Sequence, residues 1–381
     1  MYSRLLKPPK RSFFLFGPRG TGKTAWLQQQ LPKALTFDLL HADAFHRFAA
    51  APERLRDAIP DDHTDWVVID EVQRAPALLD EVHALIERRK LRFALTGSSA
   101  RKLRRGGANL LAGRARTLHM HPLSAIELGG DFDLGRSLRF GCLPFACTTD
   151  DPAAFLRDYV VTYLREEVMQ EGLVRSMPTF SRFLEAASFS QGAPLNMSAV
   201  ARDCAVSAKL AESHFVLLED LLLATRVPVF ARRAKRRMAS HPKFYFFDCG
   251  VYRAVRPRGP LDSPEEIDGP ALETLFLANV RAINDTHELG YQIHYWRTAT
   301  GVEVDFVLYG ERGLLAFEIK RHGRVRDDDL APLQMFGEEY PVAKRFLLHA
   351  GKERRHQAGV DIVPMQHALL NLDELLRTGK L

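Results

Sequence analysis

Three short apolar runs mark the N-terminal third of the chain: Phe13-Phe14-Leu15-Phe16, Trp66-Val67-Val68-Ile69 and Phe93-Ala94-Leu95-Thr96. Each is short and apolar throughout, the pattern of a strand covered on both faces, and each runs into polar punctuation. The first enters Gly17–Thr24, the second Asp70-Glu71, the third Gly97-Ser98-Ser99. Ala25–Gln30 then opens a helix, and Leu39–Ile59, with Asp43, Glu53 and several arginines, predicts a helical insertion with a solvated surface. Strand and helix in alternation predict an α/β domain over residues 1–175. Residues 131–151 read as an irregular lead-in to a helix over Pro152–Glu171. The aromatic stripe of that helix, Phe155, Tyr159, Tyr163 and Leu164, fits core packing beneath a helical lid.

The pattern changes further on. Asn196–Asp203 carries a helical period behind a capping Asn, Cys204–Ser207 reads as a tight turn, and Ser207 caps a second helix from Ala208 to Leu218. On that helix Leu210, Phe215, Val216 and Leu218 form the apolar set, with Lys209, Glu212, Ser213 and His214 polar. The β-rich run Leu221–Phe230 and the run Lys243–Phe247 flank the basic block Arg232, Arg233, Lys235, Arg236 and Arg237. Two helices, a turn and a hairpin predict a winged-helix domain over 176–258 with a basic wing tip. The same pattern fits a helical spacer or an oligomer contact. A Pro/Gly/basic linker, Arg256–Pro260 continued by Asp262–Glu265, opens a third domain over 259–381. There a helix is predicted over Pro270–Asn284, followed by strands at Gln292–Arg297, Val302–Tyr309 and Leu314–Lys320.

Composition narrows the class. A chain of 381 residues has room for two or three cores, and 46% hydrophobic with 26% charged residues is ordinary for a soluble protein. No run is long enough to span a bilayer, and MYSRLLKPPKR lacks a signal-peptide core, so a cytoplasmic protein without membrane contact is expected. Cys142, Cys147, Cys204 and Cys249 show no metal or redox spacing and read as reduced thiols. The net charge of +6, with a second basic cluster at Arg101, Lys102, Arg104 and Arg105, favours an anionic partner, while either cluster reads equally as solvated surface.

The sharpest chemistry lies in Gly17-Pro18-Arg19-Gly20-Thr21-Gly22-Lys23-Thr24, which fits G-x-x-x-x-G-K-[ST] between a strand and a helix. Glycines let the backbone close around phosphates, the helix N-terminus faces the anion, Lys23 neutralises β/γ charge, and the Thr24 hydroxyl holds Mg²⁺. The absence of an N-K-x-D pattern favours ATP over GTP. Asp70 is placed to support Mg²⁺ and Glu71 to polarise the attacking water as a general base. Ser98 and Ser99 are both placed to sense a γ-phosphate, and a plain serine turn reads the same.

The runs GPRGTGKT, VVIDE, LTGSS and LLAGRARTLHMHPLSAIEL together resemble the bacterial and archaeal AAA+-type ATPases that carry an uncharacterised C-terminal domain. Tyr163–Val168, Pro242–Asp248 and Tyr295–Thr298 extend the resemblance over nearly the whole chain. It places Arg114 where a trans-acting arginine finger is expected, with Arg116 as competitor and a simple solvated arginine as a third reading. A finger in trans implies a homo-oligomer, with a ring as the natural form.

In the third domain, alternation puts Glu303 and Asp305 on one strand face and Glu318 and Lys320 on one face of the next. With Glu273 in the preceding helix, Asp-x12-Glu-x-Lys is similar to the PD-(D/E)xK core of restriction-endonuclease-like domains, although Val304 stands where a proline often precedes the Asp. The resemblance implies Mg²⁺ held by Glu273, Asp305 and Glu318, with Lys320 orienting the attacking water. The expected architecture is therefore an N-terminal P-loop AAA+-type domain, a central winged helix and a C-terminal nuclease-like α/β domain. The expected activity is ATP hydrolysis coupled to DNA remodelling or translocation. An ATP-regulated, metal-dependent DNA nuclease and a nucleotide-switched DNA-binding regulator are the alternatives.

Overall fold

The structure, a computed structural model, describes every residue except 1, 99–100, 102, 104–109, 165–167, 170–173, 175, 232–240 and 261. Ser99, Lys102, Arg104, Arg105, the stretch 165–167, the side chain of Tyr163 and the basic block from Arg232 to Arg237 therefore lie outside the described residues. The chain divides into two compact units, Ser3–His121 with Asp220–Leu222, and Pro122–Glu219 with Leu223–Leu381. Among the described residues no helix is long and apolar enough to cross a membrane.

The first unit is built on five strands, β1 (Phe13–Phe16), β2 (Leu35–Asp38), β3 (Trp66–Asp70), β4 (Arg92–Gly97) and β5 (Arg116–His119). They pair in parallel in the order β2-β3-β4-β1-β5. Side-chain alternation explains why the central runs are apolar throughout. Phe14, Phe16, Val67, Ile69, Phe93 and Leu95 enter one core, and Phe13, Leu15, Trp66, Val68 and Ala94 enter the other. The Leu78–Arg89 helix covers the first face through Leu78, Leu79, Val82 and Leu85, and the Lys23–Gln30 helix covers the second through Trp26 and Leu27. Each fully buried large side chain contributes about 1.5–3 kcal/mol relative to exposure. This double cover holds the strand ends, and so the loops that follow them, in fixed positions. The predicted helical insertion is present as the helices Ala42–Ala50 and Arg54–Ala58.

In the second unit the helix predicted from Pro152 is α-helical to Asp158, continues as a wider π-turn from Tyr159 to Leu164, and is α-helical again at Val168 and Met169. Val160, Val161 and Thr162 are β-branched in succession, which crowds an ordinary α turn. The helices Met177–Ser188, Met197–Asp203 and Ala208–Asp220 follow. Asn196 caps the second of these by accepting the Ala199 amide at 3.0 Å, and Ser207 accepts the Leu210 amide at 3.2 Å in the first turn of the third. The inward stripe of the Ala208–Asp220 helix differs from the expected one. Ala211, His214, Phe215 and Leu218 are buried, whereas Leu210 and Val216 are exposed. Spacings of three and four residues select the first set, and His214 lies on that stripe although its chemistry reads as polar.

His214 is wedged between Phe180 and Phe183, with ring centroids 5.2 and 4.9 Å away. Burial lowers its pKa below the ordinary 6.5. The unfolded chain takes up a proton as pH falls through 6.5 while the native histidine resists it, so this contribution to stability is complete above that pH and is lost as pH falls. The melting temperature is expected to drop between about pH 7.5 and about pH 5.5, and the drop should shrink in His214→Leu. An equal drop in both proteins would place the titrating group elsewhere.

Strands β6 (Ala224–Val227) and β7 (Lys243–Phe246) pair antiparallel on either side of the basic block. The long helix that follows spans Pro264–Thr286, starting six residues before its predicted onset. The linker reading of residues 262–265 is thereby corrected: Ser263 and Glu266 form a capping box, and Pro264 sits in the first turn, where its missing N–H is harmless. The last sheet contains β8 (Gln292–Arg297), β9 (Glu303–Gly310), β10 (Gly313–Lys320), β11 (Lys344–His349), β12 (Arg355–Gln357) and β13 (Val360–Pro364). Its order is β12-β13-β11-β10-β9-β8; β10, β11 and β13 run parallel, and the remaining pairs are antiparallel. Phe276 of the long helix packs on Phe306 and Phe317 at 5.4 and 5.0 Å. Leu333 and Phe336 of the Ala331–Glu339 helix join a core with Val307, Ala316 and Leu347.

Candidate nucleotide site and carboxylate cluster

The phosphate loop joins the end of β1 to its helix. Gly17 has no alternative, since a Cβ there would stand 2.3 Å from the Met120 carbonyl oxygen. Gly22, with φ at 89°, caps the helix in the left-handed region that glycine enters without strain. The helix begins at Lys23, two residues earlier than its predicted onset. Inside the loop, Thr21 Oγ1 donates to the Pro18 carbonyl at 2.8 Å. Lys23 Nζ donates to Gly17 O at 2.7 Å and Pro18 O at 3.3 Å. The buried ammonium thus sits over the loop's own carbonyls, positioned to turn towards a phosphate. Arg19 and Gly20 form the outer, less buried part of the loop.

Parallel pairing in the sheet brings the acidic strand end alongside. Thr24 Oγ1 donates to Asp70 Oδ2 at 2.8 Å, uniting the hydroxyl and the carboxylate nominated for Mg²⁺. A hard cation takes oxygen donors of this kind, so the pair fits the ion. Glu71 adopts φ 59° and ψ 44°, a left-handed conformation that costs a non-glycine residue about 1–2 kcal/mol. Two residues that the sequence reading did not nominate for the site hold it there. Thr96 donates its hydroxyl to Asp70 Oδ1 and accepts the Glu71 amide at 3.2 Å. Gln73 Nε2 donates to Glu71 Oε2 at 2.5 Å and lies 3.4 Å from Ser98 Oγ. A Cβ at Gly97 would meet Gln73 Oε1 at 2.4 Å, so a larger residue there would displace the Gln73 amide. The position of Thr96 at the end of the strand next to β3 was the available signal; Gln73 carries none.

Arg114 pairs with Glu87 at the last turn of the Leu78–Arg89 helix, and that contact holds the Glu87 carboxyl below its ordinary pKa. Arg114 precedes β5, whose Arg116 pairs with Phe13 at the start of β1, whereas the phosphate loop follows Phe16. Within one chain it therefore lies near the end of the sheet opposite the phosphate loop.

The C-terminal residues converge, with an addition. Regular pairing of β9 with β10 ends at Phe306 and Phe317, and Asp305 Oδ2 then accepts the Ile319 amide at 2.9 Å. Lys320 Nζ donates to Glu318 Oε1 at 2.7 Å. Glu273 Oε2 accepts the Tyr245 hydroxyl at 2.6 Å. Lys243, read from sequence only as the start of a strand, enters this group. Its ammonium lies 2.6 Å from Glu303, 3.2 Å from Asp305 and 3.7 Å from Glu273. Burial, then the neighbouring Asp305, raises the Glu273 carboxyl to about 7, with Lys243 pulling the other way. Glu318 is raised well above its ordinary value by burial and by Asp305. Burial pushes the pKa of Lys243 down, but Tyr245, Glu273, Asp305 and Glu303 together outweigh it and keep the ammonium charged. Among the described residues no three His, Cys, Asp or Glu side chains form a group that could hold a metal ion. In this arrangement Glu273, Asp305 and Glu318 do not fit one.

The five-stranded parallel sheet and the loop that pairs Thr24 with Asp70 define a P-loop nucleotide-binding class. A family model described as an AAA domain matches residues 9–129, which form an AAA-type P-loop ATPase-like region. Residues 132–262 match a domain of unknown function, DUF8612, and residues 268–368 match another, DUF4143. No curated protein matches the chain. Among solved structures, the crystal structure of protein VC1899 from Vibrio cholerae aligns over 91% of this chain and 97% of that one, at 13% identity and a TM-score of 0.24. A likeness of that size supports no statement about fold or activity.

Proposed function

We propose that the chain hydrolyses ATP at the phosphate loop and couples turnover to DNA, acting as a homo-oligomer. The observation that carries the reading is the Thr24–Asp70 hydrogen bond, which joins the two halves of a P-loop metal site beside Lys23. In this reading Gly17 to Gly22 wrap the phosphates, Lys23 neutralises their charge, and Thr24 and Asp70 hold Mg²⁺. When bound, Mg²⁺ supplies charge neutralisation at the β- and γ-phosphoryl oxygens. Glu71, steadied by Gln73, takes the proton of the attacking water, and Ser98, 3.4 Å from Gln73, registers the γ-phosphate. Arg114, remote from its own phosphate loop, serves a neighbouring subunit after leaving Glu87.

DNA is proposed from charge and element order. The sequence places Arg232, Arg233, Lys235, Arg236 and Arg237 between the two strands of a hairpin that follows a pair of capped helices. A winged helix has this order, and such a basic tip contacts phosphates with strong salt dependence. The C-terminal sheet is taken as a nuclease-like module that serves binding and assembly. The test is steady-state ATP turnover, alone and with single-stranded, duplex and branched DNA. Stimulation by one form, lost at high salt and on charge reversal of the basic block, is the expected result. Turnover indifferent to every DNA would redirect the ATPase to a protein partner.

A further inference from the structure

Lys243 opens β7, directly after Pro242, and its side chain is only 1% exposed. The backbone on either side is pinned, with Phe244 O on the far side accepting the Gly192 amide at 2.8 Å. Pro242 O accepts the Leu195 amide at 2.9 Å, and His241 O accepts the Tyr295 hydroxyl at 2.6 Å. The ammonium faces carboxylates from two elements, Glu273 from the long helix and Glu303 and Asp305 from β9. Glu303 is further paired with Arg297 at 3.7 Å, and the Tyr295 ring lies 5.6 Å from the ammonium.

A lysine ammonium is a compact point charge with three donors. A hard divalent cation asks for a similar environment, several carboxylate oxygens converging on one point. The two cannot share it, because like charges at that separation repel and the oxygens are already engaged. We propose that Lys243 is the resident cation of the Glu273–Glu303–Asp305 cluster, taking the place of a divalent metal ion and keeping the C-terminal domain metal-free.

Two further observations agree. The fourth carboxylate, Glu318, pairs through Oε1 with its own lysine, Lys320, at 2.7 Å. Glu273 is engaged by the Tyr245 hydroxyl as well as by Lys243, which leaves its Oε2 oriented towards β7. The cluster thereby fastens the β6–β7 hairpin to the C-terminal sheet, and a divalent ion can enter only when Lys243 is withdrawn. Nothing in this depends on nucleotide turnover.

The test is Mn²⁺ binding followed by electron paramagnetic resonance on the full chain without nucleotide. Wild type and Asp305→Asn are expected to bind the same amount of Mn²⁺. Lys243→Gln should gain one Mn²⁺ per chain, and that gain should vanish in the Lys243→Gln/Asp305→Asn double variant. Lys243→Arg, which keeps a cation in place, should gain none. A Mn²⁺ held by wild type and lost in Asp305→Asn would overturn the proposal. So would a folded Lys243→Gln protein that gains no ion. If that variant does not fold, the comparison of wild type with Asp305→Asn still decides.

Discussion

Lys23→Ala is expected to lower ATP turnover by at least about a hundredfold, the usual scale for removing a charge that stabilises a phosphoryl transition state. The Lys23 ammonium donates to the carbonyls of Gly17 and Pro18 within the same loop, and losing those bonds costs about 1 kcal/mol each or less. The hydrophobic layers on both sheet faces do not include it, so the circular-dichroism spectrum should be unchanged and the melting temperature should fall by only a few degrees. Turnover is to be measured at saturating ATP beside a thermal melt of the same preparation. A variant that hydrolyses ATP at the wild-type rate would end the ATPase reading at this loop.

Glu71→Gln should separate binding from hydrolysis. Gln has nearly the same size and tolerates the left-handed backbone no worse than Glu, so the strain at φ 59° is preserved and only the basic oxygen is lost. General-base catalysis is worth about 10²–10⁴-fold, and turnover should fall within that range. Nucleotide affinity should stay near that of wild type, because Lys23, Thr24 and Asp70 keep their contacts. A fluorescent ATP analogue and a single-turnover assay measure the two quantities separately. If hydrolysis persists at more than about a tenth of the wild-type rate, the base is another group or the water needs none. In that case Gln73, 2.5 Å from Glu71 and 3.4 Å from Ser98, would be the next residue to vary.

Legibility along the chain follows the range of the interactions. Phe13–Phe16, Trp66–Asp70 and the strands Gln292–Arg297 and Leu314–Lys320 could be read because a strand covered on one or both faces leaves a local pattern. The onset of the Pro264 helix was missed although its capping box was present, because proline beside glycine and arginine imitates a linker. The inward stripe of the Ala208–Asp220 helix was misjudged at His214, since an imidazole is apolar enough to be buried between two phenylalanine rings yet reads as surface. The π-turn from Tyr159 to Leu164 has no periodic signature of its own, and its one local sign is the β-branched run Val160-Val161-Thr162.

The phosphate loop is contiguous, and its chemistry depends on glycine, lysine and threonine at fixed offsets, so the sequence by itself determined the nucleotide class and the pairing of Asp70 with that loop. It also determined that Asp305, Glu318 and Lys320 would share one part of the C-terminal sheet, since alternation fixes the face of every strand residue. It could not reveal Lys243 among them. A lysine that follows a basic block looks like more solvated charge, and alternation says nothing about which distant strand lies across from a carboxylate. That contact joins β7 to β9 and to the long helix, and its energy comes from bringing opposite charges together out of water, a quantity that exists only once the chain has folded. Thr96 and Gln73 became visible for the same reason: their partners lie on a neighbouring strand or beyond a turn, and only the closed sheet brings them within hydrogen-bonding distance of Asp70 and Glu71.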